Sequence, residues 1–319
     1  MKYDDRAIPI SDIDTTDDAC SLSLQTDPAA LIAAIEAVGL INPPIVRQRE
    51  DLKYRIICGF RRVIACQTLG WHEIKARVLV GDVSELDLLR LAVQDNRSHR
   101  SLDLVEQARG ISKLGRHVPS KNRLEVLSSL LGFPSNKKVF QKISALGQLP
   151  EVIQAGVLDE TISLEAAVHL SRLSHGDAIC FFDLFKRLKL SQNKQIEIIT
   201  LVQEIALRED LQPKEVLQSK DMRAILERAD LNRNEKGALL RASVKRRRFP
   251  ALAKAEADFL KTLKALKLDK CVNITPPPYF EGGAYTLRMT FKDLNDFQTC
   301  RRTLDAIAKN PALKRLWDV

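Results

Sequence analysis

Apolar and polar positions follow two different periods along this chain. The first hundred residues mix both. Ile8-Pro9-Ile10-Ser11-Asp12-Ile13 reads as a short strand. Asp27 then caps a helix with Pro28 at its first position, where the missing N–H costs nothing. Leu31, Ile32, Ile35 and Val38 form its apolar face, and Gly39 stops it as a left-handed residue. Pro43 to Arg47 and Tyr54 to Cys58 read as two more strands, the latter rich in β-branched and aromatic side chains. Gly59-Phe60-Arg61-Arg62 is a turn into a helix from Val63 to Leu69, closed by Gly70. Ile74 to Val80 alternates as a strand, and Ser84-Glu85 caps a helix running towards Asp95.

From Leu102 the period turns helical and stays so for about 165 residues. Leu104, Ala108, Ile111 and Leu114 share one face. Leu124 to Leu131 and Lys137 to Leu146 are two helices around the tight turn Gly132-Phe133-Pro134-Ser135-Asn136. Helical stretches follow at 150–173 and 181–190. A basic run, Lys245-Arg246-Arg247-Arg248, precedes Pro250 and a helix from Ala251 to Leu266. Beyond it, Cys271 to Thr275 and Tyr285 to Phe291 read as strands, and Leu294 to Ala308 as a helix. The expected fold class is therefore multidomain α+β. Its parts are a small mixed α/β unit at 1–97, a helical unit at 98–220, a basic helical linker at 221–249 and a small α+β unit at 250–319.

At 319 residues the chain is long enough for two or three domains. No apolar run reaches about 18 residues, so no membrane span is expected, and the first residues lack the pattern of a secretory signal. Cysteines stand at 20, 58, 66, 180, 271 and 300 with no C-x-x-C pair, as expected of reduced thiols rather than a zinc site or disulfide framework.

Charge changes the picture more. The net +9 is unevenly spread. Residues 1–97 hold 12 basic and 15 acidic side chains, net −3, leaving +12 for the rest. Residues 98–150 carry 9 against 3, and 241–270 carry 10 against 3. Concentrated positive charge points to a polyanion, because each neutralised phosphate releases condensed counterions. Aromatics make up only 5%, which argues against a single-strand stacking platform, so the expected partner is a nucleic acid not held in that way.

Three short constellations carry candidate chemistry. Gly59 with Arg61 and Arg62 stands between a strand and a helix. A glycine there permits close approach, free N–H groups open the helix, and forked guanidinium groups match phosphate. Asp95-Asn96 supplies hard oxygen donors of the kind Mg²⁺ takes beside nucleotide phosphates. Gly39-Leu40-Ile41-Asn42-Pro43-Pro44-Ile45-Val46-Arg47 is a helix stop leading into a strand. In the helix pair, Ser135 or Asn136 caps the second helix, whose Lys137, Lys138, Gln141 and Lys142 would face DNA while Val139, Phe140, Ile143 and Leu146 pack inward. Lys245, Arg246, Arg247 and Arg248 would add sequence-independent affinity.

The order of these pieces resembles the ParB family of partition proteins over about residues 8–190. The family reads G-L-x-Q-P-I-x-V-R, G-E-R-R-x-R-A and E-N-x-x-R. Matching residues are Gly39, Leu40, Pro43, Val46 and Arg47, then Gly59, Arg61, Arg62 and Ala65, then Asn96 with Asp95 in place of Glu. Leu149 to Val152 and Gly156 to Leu158 look like the stretch after the family's recognition helix.

The resemblance implies a ParB/sulfiredoxin-like N-terminal domain that binds CTP and Mg²⁺, and a helix-turn-helix that reads a centromere-like site. It further implies a homodimer that closes around DNA as a clamp, reopens by slow CTP hydrolysis, and works with a partition ATPase in the cytoplasm on the nucleoid. By the same resemblance Gly39, Arg47, Gly59, Arg61 and Arg62 would bind nucleotide, Asp95 and Asn96 would hold the metal, and the C-terminal unit would dimerise.

The sequence departs from the family at Phe60, where a Glu is usual; that loss bears on hydrolysis more than on binding, and no catalytic residue is assigned. It departs also at His99, the usual Arg of the third motif, and at Leu164-Glu165-Ala166, where the family has G-H-A. A divergent member is the expectation. The alternative is a nucleotide-independent transcriptional repressor with a vestigial pocket. A redox enzyme of the sulfiredoxin kind would need a cysteine where Phe60 stands, and a nuclease would need clustered carboxylates that the sequence lacks.

Overall fold

The computed structural model describes residues 1–24 and 29–316; the expected helix start at Asp27-Pro28 and the side chain of His99 lie outside them. The residues fall into two compact units, 1–199 and 200–319.

The first unit opens with β1 (Lys2–Pro9), a short 3-10 turn and β2 (Ile13–Asp14). The expected strand at Ile8 thus begins six residues earlier. Its polar half is hidden from hydropathy because β1 is an edge strand, paired only with β5. Next come α1 (Ala29–Val38), β3 (Ile45–Gln48), β4 (Tyr54–Cys58), α2 (Phe60–Thr68), β5 (Glu73–Val80) and α3 (Glu85–His99). The five strands form one mixed sheet in the order β1-β5-β3-β4-β2. β1 runs antiparallel to β5, and β3 antiparallel to β4 but parallel to β5. Ile8, Val46, Ile56, Ile74 and Val78 build the core with Val63 and Ala65 of α2. Leu31, Ile32 and Ile35 of α1 pack on this core, but Val38 is 68% exposed. It is the last residue before Gly39, whose positive φ of 79° turns the chain away.

Helices follow in succession: α4 (Leu104–Leu114), α5 (Arg123–Leu131), α6 (Lys137–Leu146), α7 (Glu151–Leu158), α8 (Leu164–Leu170), α9 (His175–Leu188) and α10 (Gln192–Glu209). α4 is their hub: α5, α6 and α7 all pack on it. Its start is fixed by a capping box in which Asp103 accepts from the Val105 and Glu106 N–H groups while Glu106 accepts from the Asp103 N–H. Gly110 of α4 meets Leu131 of α5 so closely that no Cβ fits between them. α5 ends on Gly132 (φ 77°), and Asn136 caps α6 by accepting from the Lys138 and Val139 N–H groups.

The second unit continues with α11 (Pro213–Leu217), α12 (Lys220–Glu227), α13 (Arg233–Arg248), α14 (Pro250–Leu266), β6 (Val272–Thr275), β7 (Thr286–Met289) and α15 (Leu294–Lys309). β6 and β7 form an antiparallel pair. Phe259 of α14 stacks on Tyr285 with ring centroids 5.9 Å apart and meets Phe280 edge-on at 5.6 Å. Among the described residues no helix is long and apolar enough to cross a membrane.

Candidate nucleotide site and basic helix face

β4 delivers the chain directly to the start of α2. Gly59 takes φ 91°, a conformation that strains any other residue, and α2 begins at the next residue. Arg61 and Arg62 therefore lie in the first helical turn, not in a preceding turn as the sequence pattern suggested. No side chain caps this helix end, so its first N–H groups are left for a ligand or water. A cavity of about 750 Å³ opens beside it, large enough for a nucleotide. Its lining includes Gly59 to Arg62, Asn42, Asp95 and Asn96, together with residues of the strap from Thr15 to Leu24.

The two arginines differ. The Arg62 guanidinium donates to the Asn42 carbonyl at 2.8 Å, to the Pro43 carbonyl at 3.3 Å and to the Asp95 carboxylate at 3.3 Å. It folds back over Gly59, where a Cβ would stand 3.0 Å from Arg62 Nε. Arg61 is exposed on the cavity wall, and no described residue bonds its guanidinium. Asp95 and Asn96 lie inside α3 rather than at its end, because the helix runs on to His99. The Asn96 amide donates to the Ala92 carbonyl, which leaves its oxygen unused. The next residue, Arg97, donates to the Ser129 and Leu130 carbonyls at the end of α5.

Two expected site residues fall elsewhere. Gly39 does not line the cavity; its work is to end α1. Arg47 turns away from the cavity. It donates to the Val83 carbonyl at 2.7 Å and so ties β3 to the loop before α3. The strap was missed in turn. Its only signal is a short alternation in which Cys20, Leu22 and Leu24 are buried beside polar Ser21 and Ser23, after a polar stretch with Thr15, Thr16 and Asp18, and α4 anchors it firmly. The Lys113 amine donates to the Asp18 and Ser21 carbonyls, and Arg109 to the Ser23 carbonyl. The Ser23 hydroxyl donates to Glu106, a buried carboxylate gripped twice by Arg100 at 2.5 and 2.6 Å. Burial pushes the Glu106 carboxyl up, but Arg100, the Ser23 hydroxyl and the Asp103 N–H outweigh it and hold the group below its usual range.

The thiols near the cavity are inert. Burial raises Cys20 to about 11 and raises Cys58 further, so neither is a thiolate at neutral pH. All six cysteines are free. Among the described residues no three His, Cys, Asp or Glu side chains gather to hold a metal.

On α6, Lys137, Lys138 and Gln141 are exposed, Ile143 and Leu146 are buried, and Val139 and Phe140 are half-buried. Asn136, not Ser135, is the cap. Lys142 is not a free cation: its amine bonds the Glu165 carboxylate of α8. The run at the end of α13 is spent largely on its own unit. Arg247 pairs with Glu209, and Arg248 pairs with Glu204 while lying 4.6 Å over the Phe249 ring. Of the four, Lys245 and Arg246 are exposed, while Arg247 and Arg248 are half-buried.

The small mixed sheet thus places an uncapped helix start, two arginines and a carboxylate around one nucleotide-sized cavity. The family model of the ParB N-terminal domain matches residues 6–97, which span the whole sheet except the first residues of β1 and nearly all of α3. Among curated relatives, a nucleoid occlusion protein of Oceanobacillus iheyensis is 33% identical over 46% of this chain and 50% of its own length. One from a Geobacillus species is 32% identical over 60% of this chain and 66% of its own. This chain thus spans between half and two thirds of those relatives' length. A solved structure, the C-terminally truncated chromosome-partitioning protein ParB from Caulobacter crescentus complexed with CTP-gamma-S, aligns at 18% identity. It covers 57% of this chain and 98% of that one, with a TM-score of 0.27. Residues 6–97 of this chain thus form a ParB N-terminal domain.

Proposed function

We propose that this protein binds double-stranded DNA in a partition or nucleoid-occlusion role, as a homodimer whose grip is governed by a nucleotide, CTP by family resemblance, in the N-terminal cavity. The observation that carries the nucleotide reading is Arg61: a guanidinium without a described partner, on the wall of a cavity at an uncapped helix start. A triphosphate seated there would meet the first N–H groups of α2, Arg61 and, by exchange, Arg62. The Arg62–Asp95 contact is worth on the order of 1 kcal/mol, little against the several charges of a triphosphate. A Mg²⁺ ion fits only as a passenger of the phosphates, with Asp95 and the Asn96 amide oxygen as its protein donors; it would screen phosphate charge and fix the chain's bend. Asp18 and Asp95 are the carboxylates on the cavity wall, and both are in contact with cations, Lys113 and Arg62. Any hydrolysis would accordingly be slow. The DNA reading is supported by the exposed lysines of α6 and by relatives named for nucleoid occlusion.

The second reading, a nucleotide-independent repressor, is favoured by Arg62 being already satisfied by two carbonyls and Asp95. Titration calorimetry with each nucleoside triphosphate and Mg²⁺, followed by DNA binding with and without it, separates the two. The switch predicts micromolar binding that Arg61→Ala abolishes with an unchanged melting temperature, and DNA retention that depends on nucleotide. No heat with any nucleotide leaves the repressor.

A further inference from the structure

Three lysines stand on the solvent side of α6, and one of them differs from the others. Lys137 and Lys138 have no described partner, whereas the Lys142 amine bonds Glu165 in the first turn of α8. Both side chains of that pair are partly in solvent, 41% and 35% exposed. Such a pair contributes about 0–1 kcal/mol to folding, so stability gains little from it. Ser163 already caps α8 by accepting from the Ala166 N–H. Against a DNA surface the same carboxylate matters more. It occupies a cation that would otherwise neutralise a phosphate.

We propose that Glu165 holds Lys142 back from the DNA backbone and so limits sequence-independent affinity, leaving residence on DNA to be decided by base contacts. This rests on the DNA-binding reading above. Glu165 acts through Lys142 and is a positioning residue. Phosphate contacts are the same on every sequence, so lowering them weakens binding everywhere alike: the ratio between a preferred and an arbitrary sequence is unchanged, but less protein is held on arbitrary DNA.

The test measures affinity for a duplex of arbitrary sequence by fluorescence anisotropy over a range of salt. It compares the wild type with Glu165→Gln, Lys142→Gln and the double variant, with thermal melting to verify folding. Glu165→Gln should tighten binding about threefold to tenfold and steepen the log–log salt slope by about 0.9, one phosphate contact. The double variant should match Lys142→Gln alone. Unchanged affinity and slope in Glu165→Gln overturns the proposal, as does an equal gain in the Lys142→Gln background. A wild type that binds no duplex overturns the DNA reading instead.

Discussion

Gly59 and the arginines after it show what a short motif can and cannot reveal. The spacing G-x-R-R between strand and helix announced a phosphate-sized turn, and the cavity lies there. It could not announce that one arginine is latched and the other free, because the latch reaches 20 and 33 residues away. Arg47 illustrates the reverse limit. It sits beside the fully buried Val46, so the pleat turns it to the opposite side of β3, where the Val83 carbonyl takes it. Glu106 was invisible as anything but a helix-start acid. Its carboxyl is held below the ordinary value of 4.5, so it stabilises the fold above that pH, and the contribution fades as pH falls through the lower, folded value. Glu106→Gln should therefore cost on the order of 2 kcal/mol at neutral pH and flatten the acid limb of the stability curve. Melting temperatures from about pH 3 to 7 read both effects.

At the scale of elements, the helices were legible where stop and start signals are local. Gly132, Pro134 and Asn136 mark the turn between α5 and α6 because positive φ, fixed φ and side-chain capping are properties of single residues. Two elements escaped. The polar half of β1 has no hydrophobic face to betray it, and the strap at 15–24 is ordered by Lys113, Arg109 and Glu106, some 80 to 95 residues distant. α4 serves the strap on one side and packs against α6, α5 and α7 elsewhere. Its fit against α5 can be probed at Gly110. Alanine there gains about 1 kcal/mol of helix propensity but drives a methyl into the buried Leu131, an overpacking that costs about 1–3 kcal/mol. Gly110→Ala should thus be destabilising on balance, and a raised midpoint in urea denaturation would contradict this account.

For the whole molecule, charge bookkeeping along the sequence separated a net −3 head from a net +12 remainder, and the exposed lysines of α6 belong to the latter. Within the second basic segment, counting charges cannot tell an exposed arginine from one paired with Glu209 or Glu204, as Arg247 and Arg248 are. The two segments should respond differently to mutation. A Lys137→Ala, Lys138→Ala double variant should lower the salt slope of DNA binding by up to about 2 with little change in melting. Arg247→Ala should lower the melting temperature of its unit and move the salt slope less. Equal slopes for the two variants would contradict the assignment of Arg247 to internal pairing.

The five-stranded sheet has guarded margins. At one end stands β1, whose first half carries Lys2, Asp4, Asp5 and Arg6 before Pro9; at the other, β2 is two residues long. A foreign strand would find either a charged rim or almost no rung to bind. Copies of the protein accumulating at one place, however densely, are thereby discouraged from zipping into cross-β aggregates through this sheet.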